Sequence, residues 1–130
     1  ALQRLDFYMI HSAVSVLVDP PIEQSIPPLT VDEVIELLRE RWQASYDMQL
    51  VVRRKRMYLQ VMWAYLEQQS FPLNEEEYRT HLAQVLDVVN RLGQAGAVRS
   101  WLTDTRDRPR LGKALSLQLQ GEGRLEEFLV

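Results

Sequence analysis

Between Tyr58 and Tyr78 the chain reads YLQVMWAYLEQQSFPLNEEEY, and its apolar period changes from two to about three and a half. Met57, Leu59, Val61 and Trp63 fall on one face of a strand, and Tyr58, Gln60 and Met62 on the other. Ser70, Phe71 and Pro72 end the alternation, because proline fixes φ and pushes its neighbour toward extended geometry. Asn74 then offers a side-chain oxygen to an orphan helix N–H, and Glu77 stands in the reciprocal position of a capping box. Leu73 and Tyr78 take the positions of a hydrophobic staple, and Glu75, Glu76 and Glu77 complement the helix dipole. A one-faced strand followed closely by a helix with so definite a start points to the α+β class.

The same signals recur upstream. Thr30 and Glu33 form a Thr-x-x-Glu capping box with Leu29 and Val34 as its staple. The stripe Val34, Ile35, Leu38 and Trp42 predicts a helix ending near Gln43, with both Trp42 and Trp63 in the core. Met48–Val52 reads as a strand, Arg53–Arg56 as a turn and Met57–Trp63 as the hairpin partner. That turn holds no glycine or asparagine, so a tight primed two-residue turn is not expected. A second helix should run from Glu75 to about Leu92, its stripe being Tyr78, Leu82, Val85, Val89 and Leu92, with Gly93 as its left-handed stop. Val98–Thr103 and Ala114–Leu119 then read as a second strand pair around the loop Asp104–Lys113, and Leu125–Leu129 as a short terminal helix. The expected architecture is a two-layer α-β-β-α-β-β sandwich, a four-stranded antiparallel sheet with two helices on one face. Pro28-Leu29-Thr30-x-x-Glu33 and Pro72-Leu73-Asn74-x-x-Glu77 are either one capping solution used twice or the trace of a duplication.

Residues 1–28 stand apart from the single domain expected over 29–130, as an apolar N-terminal extension with a Pro-rich linker. Leu2, Leu5, Met9, Ala13 and Val16 suit a helical face, although Val14, Val16 and Val18 also alternate. Residues 5–18 could fold back over the sheet's open face or cross to a second copy as a homodimer contact. The longest apolar run, Ala13–Val18, is too short to span a bilayer, so no integral membrane segment is expected.

Chemistry is poorly represented. The absence of cysteine excludes thiol catalysis, Cys-ligated zinc and iron–sulfur clusters. His11 and His81 belong to no metal-binding or catalytic motif, and there is no glycine-rich phosphate loop or Gly-x-Ser-x-Gly elbow. No catalytic, cofactor-binding or metal-binding residue is assigned, and the expectation is a protein that is not an enzyme.

Two surfaces attract attention instead. Eight of the fifteen cations sit in two clusters, Arg53, Arg54, Lys55, Arg56 and Arg106, Arg108, Arg110, Lys113. They are either solvated turns or anion sites for nucleic acid, a nucleotide phosphate or an acidic protein. A helix spanning the sheet between the two hairpins would leave the clusters at opposite ends, and a net charge of −3 gives no general basic field for nucleic acid. Pro109 and Gly112 shape the second loop, where Arg108 and Arg110 could grip a carboxylate or phosphate. The other surface is the sheet face opposite the leucines of the last strand. It should carry Gln49, Val51, Tyr58, Gln60, Met62, Arg99, Trp101 and Gln118, a composition suited to binding a protein.

The segments Trp42-x-x-Ser45-Tyr46-Asp47-x-Gln49-Leu50, Tyr58–Tyr78 and Thr105-Arg106-x-Arg108-Pro109-Arg110-Leu111-Gly112-Lys113-Ala114 resemble a family of small proteins of cyanobacteria and plant plastids, the domain of unknown function DUF3067, over roughly residues 30–119. The resemblance implies a cyanobacterial cytoplasmic or plastid stromal setting and an accessory or assembly role in photosynthetic organisms. It supplies no reaction, ligand or catalytic residue. The expected function is therefore a non-enzymatic protein-interaction module that binds its partner through Arg106–Lys113, the better candidate of the two cationic loops, and the Tyr58–Trp101 sheet face, with nucleic-acid or nucleotide binding through loops 53–56 and 106–113 as the alternative.

Overall fold

The structure is a computed structural model that describes residues 26–120. The readings of the N-terminal extension, of a dimer contact through residues 5–18 and of the terminal helix lie outside the described residues. In order, the elements are α1 (Val31–Trp42), β1 (Tyr46–Arg53), β2 (Arg56–Tyr65), α2 (Glu75–Arg91), α3 (Ala95–Asp104) and β3 (Leu115–Gln118).

Both long helices begin where their caps place them. Thr30 Oγ1 accepts from Glu33 N–H at 3.1 Å, and Gln43 closes α1 in the left-handed region at φ 58°. Val34, Ile35, Leu38 and Trp42 are the buried stripe. At α2 the capping box is complete, with Asn74 Oδ1 accepting from Glu77 N–H (2.8 Å) and Glu77 Oε1 from Asn74 N–H (2.9 Å). The box of α1 is only half formed, because the Glu33 carboxylate is drawn away to Arg99. Asn90 of α2 clamps the entry to α1 by bonding both the N–H and the C=O of Leu29, at 2.8 and 3.0 Å.

The expected fourth strand is a helix. Val98–Thr103 lies within α3, whose buried residues are Ala95, Val98 and Leu102. Alternation would have sent Ser100 into the core with Val98 and Leu102. The helical period joins Val98 and Leu102 to Ala95 instead and leaves Ser100 exposed. The sheet therefore has three strands in the order β1-β2-β3, all antiparallel. With a helix standing where the first half of the chain has a strand, the two halves do not repeat one fold.

Met48, Leu59, Val61, Leu115 and Leu119 share one core with the buried faces of all three helices. Beneath that layer the pairs Met48–Val61 and Leu50–Leu59 continue into Leu59–Leu117 and Val61–Leu115. Trp63 departs from the expected core. Met48 pairs with Val61 but Tyr46 with Tyr65, so residues 62–64 all bulge opposite Asp47. The bulge breaks the alternation and leaves Trp63 37% exposed, in edge-to-face contact with Tyr65 at 6.0 Å. Tyr65 in turn meets Tyr46 and Tyr46 meets Trp42, which is buried as expected.

Candidate functional site

Strand β1 is an edge strand, and half of its edge is sealed. The Tyr78 hydroxyl of α2 donates to Tyr46 O at 2.8 Å, and one helical turn on, His81 Nε2 donates to Met48 O at 2.8 Å. Tyr78 is fully buried; burial, with the nearby Asp47 and Glu67 carboxylates, pushes its phenol well above the usual range. Arg39 Nε donates to Ser45 Oγ (2.7 Å), the Ser45 hydroxyl to Glu67 Oε2 (2.7 Å) and Ser45 N–H to Glu67 Oε1 (2.8 Å). Burial pushes Glu67 up, but the Ser45 hydrogen bonds and Arg39 outweigh it and hold the carboxyl below its ordinary value. Asp47, only 8% exposed, accepts from Gln49 Nε2 at 3.0 Å and lies 3.4 Å from His81 Nε2. This polar seam joins the α1–β1 corner to α2. Its partners are far apart in sequence, so no local spacing announced it.

Beyond Met48 the edge opens. The pair Arg53–Arg56 closes the hairpin, so Arg53, Val51 and Gln49 exchange hydrogen bonds with β2 while Val52 and Leu50 turn their N–H and C=O outward. No described residue bonds to those outward groups. Val52 is 48% exposed.

The turn itself corrects the expectation of a loose connection. Arg54 (φ 53°) and Lys55 (φ 64°) are both left-handed, and Arg53 faces Arg56 across the ladder. This is a two-residue type I′ hairpin, whose twist matches that of the strands, built without the Asn or Gly that usually fills it. All four cations are exposed, and none makes an ion pair with a described residue. The sequence holds no Asp or Glu between Asp47 and Glu67.

Below the turn lies the sheet face turned away from the helices. The register puts Gln49, Gln60 and Ser116 in one row across the sheet and Val51, Tyr58 and Gln118 in the next. Gln60 Nε2 donates to Ser116 Oγ at 2.8 Å. Met62 follows Gln60 on β2 and is half-buried. Two residues expected here are elsewhere. Arg99 and Trp101 sit on α3, where Trp101 packs half-buried against the core. Arg99 grips Glu33 through Nε (2.5 Å) and a terminal nitrogen (3.0 Å), and also donates to Pro27 O (3.2 Å). That hydrogen-bonded pairing holds the Glu33 carboxyl below its usual value and raises Arg99. The pairing should therefore stabilise the fold at neutral pH and be lost as acid protonates Glu33 through its lowered value. In urea melts, wild type should exceed Glu33→Gln at neutral pH, and the two should converge as the solution is acidified through the carboxylate range.

The second cationic loop occupies the other end of the sheet. β3 begins at Leu115 opposite Val61, about 17 Å along β2 from Arg56 at the usual strand rise. Arg106, Arg108, Arg110 and Lys113 are exposed, and Pro109 is buried beneath them. Arg110 and Lys113 exchange backbone hydrogen bonds at 3.1 and 2.9 Å around Leu111, which is 78% exposed, and Gly112, at φ 77°. Arg41 anchors the start of this loop by donating to Leu102 O (2.6 Å), Thr103 O and Thr105 O at the end of α3. The two cationic clusters thus form separate patches, and the open face of the sheet runs between them.

Among the described residues no helix is long and apolar enough to cross a membrane. Residues 32–129 match the family described as Domain of unknown function (DUF3067). The solution NMR structure of the Alr2454 protein from Nostoc sp. strain PCC 7120 is similar, with 44% identity and a TM-score of 0.70 over 78% of this chain and 98% of that one. No curated protein matches the chain.

Proposed function

The chain belongs to the DUF3067 family, a domain of unknown function, and from that premise we propose that it is a non-enzymatic protein-interaction module with an accessory or assembly role, binding through the open face of its sheet and the free half of the β1 edge. The observation that carries this reading is the outer edge at Leu50 and Val52, which no described residue pairs, beside a face of Gln49, Val51, Tyr58, Gln60, Ser116 and Gln118. A polypeptide is the partner whose own backbone can complete such an edge, and alternating side-chain positions on the face supply selectivity. Nucleic-acid binding is less well supported. Single-stranded readers stack two or three bases on aromatic side chains, and with Trp101 on α3 the two register rows of the face hold one aromatic residue, Tyr58.

The test is affinity capture from a cyanobacterial lysate with the full chain as bait. Val51→Lys combined with Tyr58→Lys should abolish recovery of the proteins that wild type enriches, while an Arg106→Gln/Arg108→Gln bait retains them and all baits melt cooperatively. An unchanged set of captured proteins on the face variant would contradict the proposal.

A further inference from the structure

We infer that the partner is acidic, and that one of its carboxylates is held between Arg53 and Arg56 at the end of the open face. This rests on reading that face as a protein-binding surface, and it adds the chemistry of what binds.

Two unfavourable features coincide at this hairpin. Non-glycine residues rarely adopt the left-handed region singly, and here Arg54 and Lys55 do so in succession. Next to them, Arg53 and Arg56 are a hydrogen-bonded cross-strand pair, with Cα atoms about 5.5 Å apart in such pairs, and like charges directly opposite repel. Nothing among the described residues offsets either. No described acid pairs with these four cations, and the strands that carry them have their nearest carboxylate at Asp47, hydrogen-bonded to Gln49 at the other end of β1.

The position of the pair selects the ligand. Arg53 follows Gln49 and Val51 on alternate positions of β1, and Arg56 precedes Tyr58 and Gln60 on β2, so both arginines lie on the open face. Two guanidinium forks side by side suit a planar carboxylate, which each can engage through parallel N–H groups. A strand added along Leu50 and Val52 would run beside Arg53, so an acidic residue in it reaches the arginine pair while its backbone completes the ladder. The Arg106–Lys113 loop lacks this context: its turn has a glycine at the left-handed position, and its charges stand away from the free edge.

The probe is a fluorescein-labelled oligoglutamate peptide, titrated by anisotropy against the full chain at low ionic strength, with mixed-sequence single-stranded RNA and phosphatidylglycerol vesicles as parallel arms. Oligoglutamate should bind saturably. Arg53→Gln/Arg56→Gln should weaken it at least tenfold, roughly the loss of one charge-assisted bidentate contact, and Arg106→Gln/Arg108→Gln should leave it within about twofold. Equal losses in the two variants would overturn the inference, since charge anywhere would then suffice. Tighter binding of RNA or vesicles than of oligoglutamate would overturn it in favour of those partners. In lysate capture, an Arg53→Gln/Arg56→Gln bait that keeps the proteins lost by Val51→Lys/Tyr58→Lys would refute the acidic partner and leave the open-face reading standing.

Discussion

Replacing Arg54 by Asn and Lys55 by Gly should make the protein more stable, by about 2 kcal/mol. Each left-handed non-glycine residue costs roughly 1–2 kcal/mol, and Asn-Gly is the pair that a type I′ turn accepts most readily. Glycine returns part of that gain, up to about 1 kcal/mol, by loosening the unfolded chain. Removing two of four adjacent exposed cations adds a smaller contribution of the same sign. In a domain of this size the change should raise the melting temperature by roughly 8 °C. Scanning calorimetry of the two chains decides the matter. An unchanged or lower melting temperature would show that the turn carries no strain, and the inference drawn from it would lose its footing.

The second large effect concerns two neighbours on β2. Leu59 is fully buried on the central strand, between Leu50 and Leu117 and beneath the helices. Leu59→Ala should cost about 3 kcal/mol, from lost transfer free energy and the cavity left behind. Gln60 is one residue on and points the other way, and its hydrogen bond to Ser116 is exposed. Gln60→Ala should cost no more than about 0.5 kcal/mol. Urea denaturation with a common slope would measure both. A cost at Gln60 approaching that at Leu59 would mean that a second layer covers the open face in solution.

The parts of this fold that could be read in the sequence are those fixed by neighbours along the chain. Thr30 and Asn74 announced their helices because a cap is a local hydrogen bond, and the alternation from Met57 to Val61 announced β2 because its face is decided residue by residue. The failures share the opposite character. Val98–Thr103 satisfies either period, and what settles it is packing of Val98 and Leu102 against α1 and α2, information carried by distant residues. Trp63 was misplaced by a bulge that depends on the Tyr46–Tyr65 pairing. The turn at Arg54-Lys55 was misjudged for another reason. Local preference argues against a primed turn there, and the twist of two long strands imposes it regardless.

The candidate surface was legible to a similar degree. Tyr58 and Gln60 are placed on the open side by alternation alone, Met62 lies in the bulge outside the register, and the two cationic clusters do lie at opposite ends. Arg99 and Trp101 dropped out together with the strand that was to carry them. The Arg99–Glu33 pair that replaces that assignment joins residues on α3 and α1, and no spacing rule connects them. The edge at Leu50 and Val52, left open by the described residues, is recognised only once the register is known and Tyr78 and His81 are seen to seal the other half.

Amide shift mapping of the ¹⁵N-labelled full chain with oligoglutamate bears most directly on the whole account. Perturbations should gather at Leu50–Tyr58 and on the Gln60, Ser116 and Gln118 positions of the open face, and leave α1, α3 and the Arg106–Lys113 loop unmoved. Shifts centred on that loop or on the helices, with the Arg53–Arg56 turn silent, would contradict it.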